Sequence, residues 1–278
     1  MSDPTRRVAL ALLAAPLLAA APAGGPVEIA YGADRSQRLD VYPRPGLRNA
    51  PVILYVHGGG WAHGDKRMVN ALPDYAQRNG FLLLSVGYRL APEVNARGCA
   101  EDVAAATAWA RAHVREYGGD PHKLFLVGHS AGAHLVALVG VDPTYLGAHK
   151  LTPADLAGVV PLDGAGYDAP RQMATVRPRG PLGQMYAEAF GDEAAALSPT
   201  LLAAKGRSYP PFLIFHVAAR EDSGEQSRAL AEALRQAGGR AEAVSAPGET
   251  HRSINTSFGL TGDPEGERAA RFLRTGAL

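Results

Sequence analysis

Residues 123–134 read KLFLVGHSAGAH. Four apolar residues, Leu124 to Val127, run into Gly128, His129, Ser130, Ala131 and Gly132, and the Ala-rich sequence that follows suits a helix. That is strand, sharp turn and helix, with a serine at the apex. Glycines flank the serine because a side chain at either place would collide with the tight backbone, and the turn lifts the hydroxyl clear of the sheet edge.

The remaining pattern extends this strand-to-helix rhythm along the chain. Residues 27–31 and 38–42 read as short strands joined by a hairpin at Gly32-Ala33-Asp34. The runs PVILYV at 51–56 and FLLLSVGY at 81–88 are continuous and apolar, as strands buried on both faces require. Further strands fall at 157–162, 211–217 and 240–246, and helices at 68–79, 99–117, 225–237 and 264–274. Strands that alternate with helices and lack hairpin spacing imply an α/β fold, with a mostly parallel sheet covered by helices on both faces. Residues 142–200 break the rhythm: they are long, rich in Pro and Gly, and weakly periodic apart from one strand near Val160. A connection of this kind is usually functional. No repeat or low-complexity linker divides the rest, so residues 26–278 read as one domain with 142–200 as a candidate substrate-binding insertion.

Charge narrows the partners. Lys and Arg number 28 against 27 Asp and Glu, so nothing marks a nucleic-acid surface, and a neutral small-molecule substrate or none is expected. Residues 1–25 stand apart. Arg6 and Arg7 precede the Ala- and Leu-rich stretch 8–21, and Ala21-Pro22-Ala23 offers small residues for cleavage. This is the pattern of a secretory signal peptide, with a retained anchor as the alternative. The apolar run is short for a bilayer span, so stable membrane insertion is not expected and the mature chain is expected to be secreted or periplasmic. Cys99 is the only cysteine, which rules out an intrachain disulfide and reads as a small buried side chain.

A serine hydroxyl needs a base to take its proton, and the base needs an acid to fix its tautomer and stabilise its charged form. Of the histidines after Ser130, His134 lies one turn into the elbow helix, His149 in the irregular stretch and His216 inside an apolar strand. His251 follows the last strand, at the carboxyl end where such sheets gather their ligands and catalysts, and is the expected base. For the acid, Ala218 to Asp222 follow the strand ending at Val217. Asp222 is the expected residue, with Glu221 beside it and Asp163 after the preceding strand as alternatives. The glycines of His57-Gly58-Gly59-Gly60 leave a buried strand with bare amides suited to an oxyanion, and the N–H of Ala131 should complete that hole. His57, His63 and Asp65 match no common metal spacing, so neither a metal nor any other cofactor is expected.

Together these residues make the chain resemble the α/β-hydrolase esterases of the hormone-sensitive-lipase-like group and their bacterial carboxylesterase relatives. The likeness is carried by His57-Gly58-Gly59-Gly60-Trp61, Tyr88-Arg89-Leu90 with Ala91-Pro92-Glu93, Asp102, Gly119-Asp120-Pro121 and Gly128-His129-Ser130-Ala131-Gly132. Leu162-Asp163-Gly164-Ala165, Ser198-Pro199, Pro210-Pro211 and the loop around His251 extend it over nearly the whole mature chain. The resemblance implies Ser130, Asp222 and His251 as triad and Gly58, Gly59 and Ala131 as oxyanion donors. One departure stands in the acid loop, which in such enzymes often reads Gly-x-x-Asp and here reads Ala219-Arg220-Glu221-Asp222. A serine carboxylesterase acting on small or medium esters is the expected function. An amidase or arylformamidase with the same triad is the alternative, and a catalytically dead binding protein on the same scaffold is the third reading. Tyr145, Tyr167, Met173, Met185, Tyr186 and Phe190 are the candidates to line a substrate pocket.

Overall fold

The computed structural model describes residues 25–278. The expected signal peptide lies outside the described residues but for Gly25. Eight strands form one sheet: β1 (Val27–Ala30), β2 (Arg38–Tyr42), β3 (Ala50–Val56), β4 (Leu82–Val86), β5 (Gly119–His129), β6 (Gly158–Leu162), β7 (Phe212–Val217) and β8 (Ala241–Ala246). Their order is β1-β2-β4-β3-β5-β6-β7-β8. Only the pairs β1/β2 and β2/β4 are antiparallel. The strand carrying the Gly-x-Ser-x-Gly turn is therefore interior, flanked by β3 and β6.

Alternate residues of the central strands point to opposite layers. Val52, Leu54, Val56, Leu124 and Leu126 pack with α2 (Ala96–His113), α3 (Ala131–Val141) and α8 (Glu221–Gln236). Ile53, Tyr55, Phe125 and Val127 pack instead with α1 (Leu72–Asn79) and α10 (Pro264–Thr275). Period-two alternation within wholly apolar runs is what a sheet covered on both faces requires.

Helix boundaries differ from the expected ones for identifiable reasons. The helix expected over 68–79 begins only at Leu72, because Asn70 takes a left-handed backbone (φ 47°) and a proline stands in the first turn. α2 starts three residues earlier than expected, where Asn95 accepts from the backbone N–H groups of Arg97 and Gly98. Behind it, the buried Asp102 accepts from Nη2 of Arg89 at 2.6 Å, the Arg89 N–H at 2.9 Å and Nε2 of Gln37 at 2.7 Å. That carboxylate ties α2 to the exit of β4 and to the β1–β2 connection.

The irregular stretch contains more helix than its composition suggested. α4 (Pro143–Gly147), α5 (Ala169–Thr175), α6 (Pro181–Phe190) and α7 (Pro199–Leu202) each carry proline in the first turn. The missing N–H of proline has no intrahelical partner to lose there, so these prolines start helices rather than break them. Past β8, the four-residue α9 (Ser253–Thr256) follows the His251 loop. Among the described residues, no helix is long and apolar enough to cross a membrane.

Candidate active site

β5 delivers Ser130 into a strained turn, at φ 56° and ψ −119°. A non-glycine residue there is held at a cost of order 1–3 kcal/mol, which the surroundings must offset. They do so by close approach. A Cβ on Gly128 would lie 2.4 Å from the Gly132 carbonyl oxygen, and one on Gly132 would lie 2.1 Å from the Val56 carbonyl oxygen. The turn can therefore tuck against β3 only with glycine at both places, and the Ser130 N–H donates to the Leu162 carbonyl at 3.0 Å.

Ser130 Oγ lies 3.0 Å from Nε2 of His251, and Nδ1 of His251 lies 2.6 Å from Oδ2 of Asp163. The short contact to a carboxylate fixes the tautomer: a bare Nδ1 would set two acceptors against each other, so Nδ1 carries the hydrogen and Nε2 faces the serine as acceptor. Asp163 is fully buried immediately past β6, with φ 45°. Its Oδ1 accepts from the Val217 N–H at 3.0 Å and the Ser223 hydroxyl at 2.6 Å, while Oδ2 also accepts from Nη1 of Arg220 at 2.6 Å. Burial pushes this carboxyl upward. The hydrogen bonds from His251, Ser223 and Val217, with the Arg220 charge, outweigh burial and hold it well below the usual carboxylate range.

The acid expected from the sequence is thus corrected. Asp222 does not reach the imidazole: its Oδ2 accepts from Nη2 of Arg220 at 3.0 Å, and its side chain is 44% exposed. The physical reason is that α8 begins at Glu221, four residues ahead of expectation, so Glu221 and Asp222 belong to a first helical turn and not to a free loop. Asp163, named only as an alternative, occupies the place against His251. Its signal in the sequence was limited to a lone carboxylate directly after an apolar strand.

The glycine loop lies against Ser130. Gly59 (φ 132°) accepts from the N–H groups of Ala62 at 3.2 Å and His63 at 2.9 Å, and a Cβ on it would lie 2.0 Å from the His63 carbonyl oxygen. Gly58 faces Ser130 closely enough that an added Cβ would stand 3.0 Å from the serine Cβ. Ala131 is the first residue of α3, where an N–H has no intrahelical acceptor. His57 is buried, stacks on Tyr88 with ring centroids 4.4 Å apart, and is pushed below the ordinary histidine range by that burial.

Two other histidines serve the frame. Nε2 of His129 lies 2.8 Å from the His251 carbonyl oxygen, and burial first, then the nearby His251, push His129 down to about 4. His134, pushed to about 4 by burial, takes the Trp61 indole N–H on Nδ1 at 3.2 Å and pairs Nε2 with the Leu197 carbonyl at 2.7 Å. Trp61 thereby joins the glycine loop to the insertion, and its ring also meets Phe190 at 4.9 Å and Tyr186 at 5.9 Å. Of the six candidate pocket residues, Tyr145, Tyr167, Tyr186 and Phe190 are buried, while Met173 and Met185 are partly exposed. Met185 stands directly on the glycine loop, its Sδ 2.5 Å from where a Gly60 Cβ would be.

A serine on a sharp turn past an interior parallel strand, with a histidine past the last strand and an aspartate past another in contact with it, is the arrangement of a hydrolase scaffold. Residues 53–255 match the family described as the alpha/beta hydrolase fold, and the chain belongs to that family. Among curated proteins it is 31% identical over 235 residues to a probable carboxylic ester hydrolase, LipM, of Mycobacterium tuberculosis, covering 75% of this chain and 51% of that one. The chain spans about half the length of that relative. Among solved structures, esterase 2 of Thermogutta terrifontis phosphoramylated by tabun superposes with a TM-score of 0.73 at 25% identity, covering 90% of this chain and 94% of the other. The same esterase with butyrate bound gives a TM-score of 0.69 at 25% identity over 91% and 92% of the two chains.

Proposed function

We propose that this protein is a serine carboxylesterase, with Ser130 as nucleophile, His251 as general base and then acid, and Asp163 as the residue that orients and charges-balances the imidazole. The observation that carries the reading is the unbroken chain Ser130 Oγ, His251 Nε2, His251 Nδ1, Asp163 Oδ2, at 3.0 Å and 2.6 Å. Ser130 Oγ attacks the ester carbonyl carbon as Nε2 takes its proton, and the Asp163 carboxylate balances the imidazolium without accepting that proton. The carbonyl oxygen becomes an anion met by the N–H groups of Gly58, Gly59 and Ala131. Collapse expels the alcohol, which leaves with the proton from Nε2. Water, deprotonated by the same nitrogen, then attacks the acyl-serine and releases the acid.

Ester rather than amide substrates are supported by the names of the relatives, which include a carboxylic ester hydrolase and an esterase. A short acyl group is supported by butyrate in the related esterase. In this reading residues 26–278 form one catalytic domain, residues 142–200 supply its substrate-binding side, and residues 1–25 export it to the periplasm or the medium. N-terminal sequencing of the exported protein tests the last point, and a mature chain still beginning at Met1 would count against it. The catalytic reading is tested with p-nitrophenyl acetate, butyrate and octanoate. Turnover of the short esters that disappears in Ser130→Ala, together with loss of fluorophosphonate labelling, is the expected result, and full activity of that variant would overturn it.

A further inference from the structure

A fourth side chain, charged and not required by a hydrolytic cycle, stands against Asp163 and His251. Nη1 of Arg220 lies 2.6 Å from Oδ2 of Asp163 and 2.8 Å from Nδ1 of His251. Nδ1 already carries a hydrogen directed at the same oxygen, so the Nη1 to Nδ1 approach brings two donors together around one acceptor. The guanidinium can aim a hydrogen at the carboxylate, but its positive charge stays against the imidazole. Its other arm, Nη2, is held by Asp222 at 3.0 Å. The side chain is 29% exposed, so water screens it only in part.

We propose that Arg220 is a positioning residue that keeps His251 in its neutral, proton-accepting form down to lower pH than an Asp-His pair alone would allow, and that Asp222 sets how much of the Arg220 charge the imidazole feels. The inference rests on the assignment of Ser130, His251 and Asp163 given above. Asp163 attracts a proton to the imidazole, and Arg220, drawing on the same oxygen, offsets that attraction. A buried carboxylate partnered only by His251 would favour the imidazolium and leave a smaller fraction of the base ready to act in mildly acidic surroundings.

Two neighbours of His251 carry no charge with which to supply this effect. From β5, His129 is pushed down to about 4 by burial and stays uncharged in the working range. From α6, Tyr186 lies close enough to feel Asp222 and Arg220, and burial pushes its hydroxyl up to about 12, so it too is uncharged. On the His251 loop itself, Glu249 hydrogen-bonds the Ser253 hydroxyl, and Arg252 follows the base in sequence. From α8, Asp222 is, among the described residues, the one carboxylate bonded to Arg220 besides Asp163.

The test is the pH profile of kcat/KM on p-nitrophenyl butyrate from pH 5 to 9 at fixed ionic strength, with circular dichroism showing each variant folded throughout. Arg220→Gln, which keeps a donor and removes the charge, should move the midpoint of the acid limb up by about one to three pH units, the span that Coulomb's law gives for a unit charge about 4 Å away between full water screening and a partly screened protein surface. Arg220→Lys should keep the wild-type midpoint. Asp222→Asn, which frees the Arg220 charge, should move the midpoint the other way, to lower pH. A profile for Arg220→Gln that coincides with the wild type, or one for Arg220→Lys displaced as far as it, overturns the proposal. Should Arg220→Gln fail to fold, Asp222→Asn decides alone: a downward shift supports the proposal and an unchanged midpoint overturns it. Failure of the underlying catalytic assignment looks different, because Ser130→Ala and His251→Asn would then remain active at every pH.

Discussion

Asp163 and Asp222 are separated by what their neighbours leave free. Asp163 has no solvent contact and gives one oxygen to Val217 and Ser223 and the other to His251 and Arg220. Asp222 spends itself on the outer arm of Arg220. Asp163→Asn is expected to reduce kcat by about 10²- to 10⁴-fold, since an amide can leave the histidine in the wrong tautomer. Glu221→Gln, exposed at the start of α8, should leave it within about twofold. Steady-state kinetics on p-nitrophenyl butyrate separate the two, and a collapse in Glu221→Gln with little change in Asp163→Asn would reject the assignment. Ser130 and His251, which the structure brings within 3.0 Å of each other, were legible in the sequence because each sits at a place dictated by the chain alone, a glycine-flanked apex and the loop after the last strand. The acid was not, because its partners at positions 217, 220, 223 and 251 converge only after β6, β7 and β8 lie side by side.

At the level of elements, strands were the easiest to read, since apolar runs bounded by glycine or proline have few other uses in a soluble core. The start of α8 was hidden for a local reason. Its N-cap is Arg220, which makes no capping bond, so none of the usual Ser, Thr, Asp or Asn signals marks the turn from β7 into the helix. In the insertion, proline was read as interruption where it opens α4 to α7. Two element-level predictions follow from packing. Gly132→Ala puts a methyl group against the Val56 carbonyl oxygen and should lower stability by about 3 kcal/mol or more, or prevent folding, as read from the urea midpoint or soluble yield. Trp61→Phe removes the donor to buried His134 and should lower stability by about 1–3 kcal/mol for the unpaired nitrogen, with a further loss of packing against Phe190. An unchanged midpoint in Trp61→Phe would mean that the indole is not what joins the glycine loop to the insertion.

For the molecule as a whole, the buried histidines make folding sensitive to acid. His129 and His134 are held near 4 in the folded chain, against an ordinary value of about 6.5 when unfolded. Between those two values the unfolded chain binds the extra protons, so stability is complete above about pH 6.5 and falls as pH drops toward 4. The decline should amount to about 3 kcal/mol for each histidine by pH 4. Melting temperature measured across that range should show it, and His134→Gln should reduce its slope although the variant starts from a lower value. A slope identical to that of the wild type would mean that His134 is not taking up a proton on unfolding.

The seat of Asp163 is built from β6, the end of β7 and the first turn of α8, while His251 arrives on a separate loop with 43% of its side chain exposed. The anion would keep three of its four donors if that loop swung away. Scaffold and apparatus are therefore separable at this point. His251→Ala should silence the enzyme and melt within a few degrees of the wild type, whereas Asp163→Ala should silence it and also strand the Val217 N–H, the Ser223 hydroxyl and the inner arm of Arg220 without an acceptor. A molecule assembled this way can lose its chemistry and stay folded by losing the histidine, but losing the aspartate undoes both.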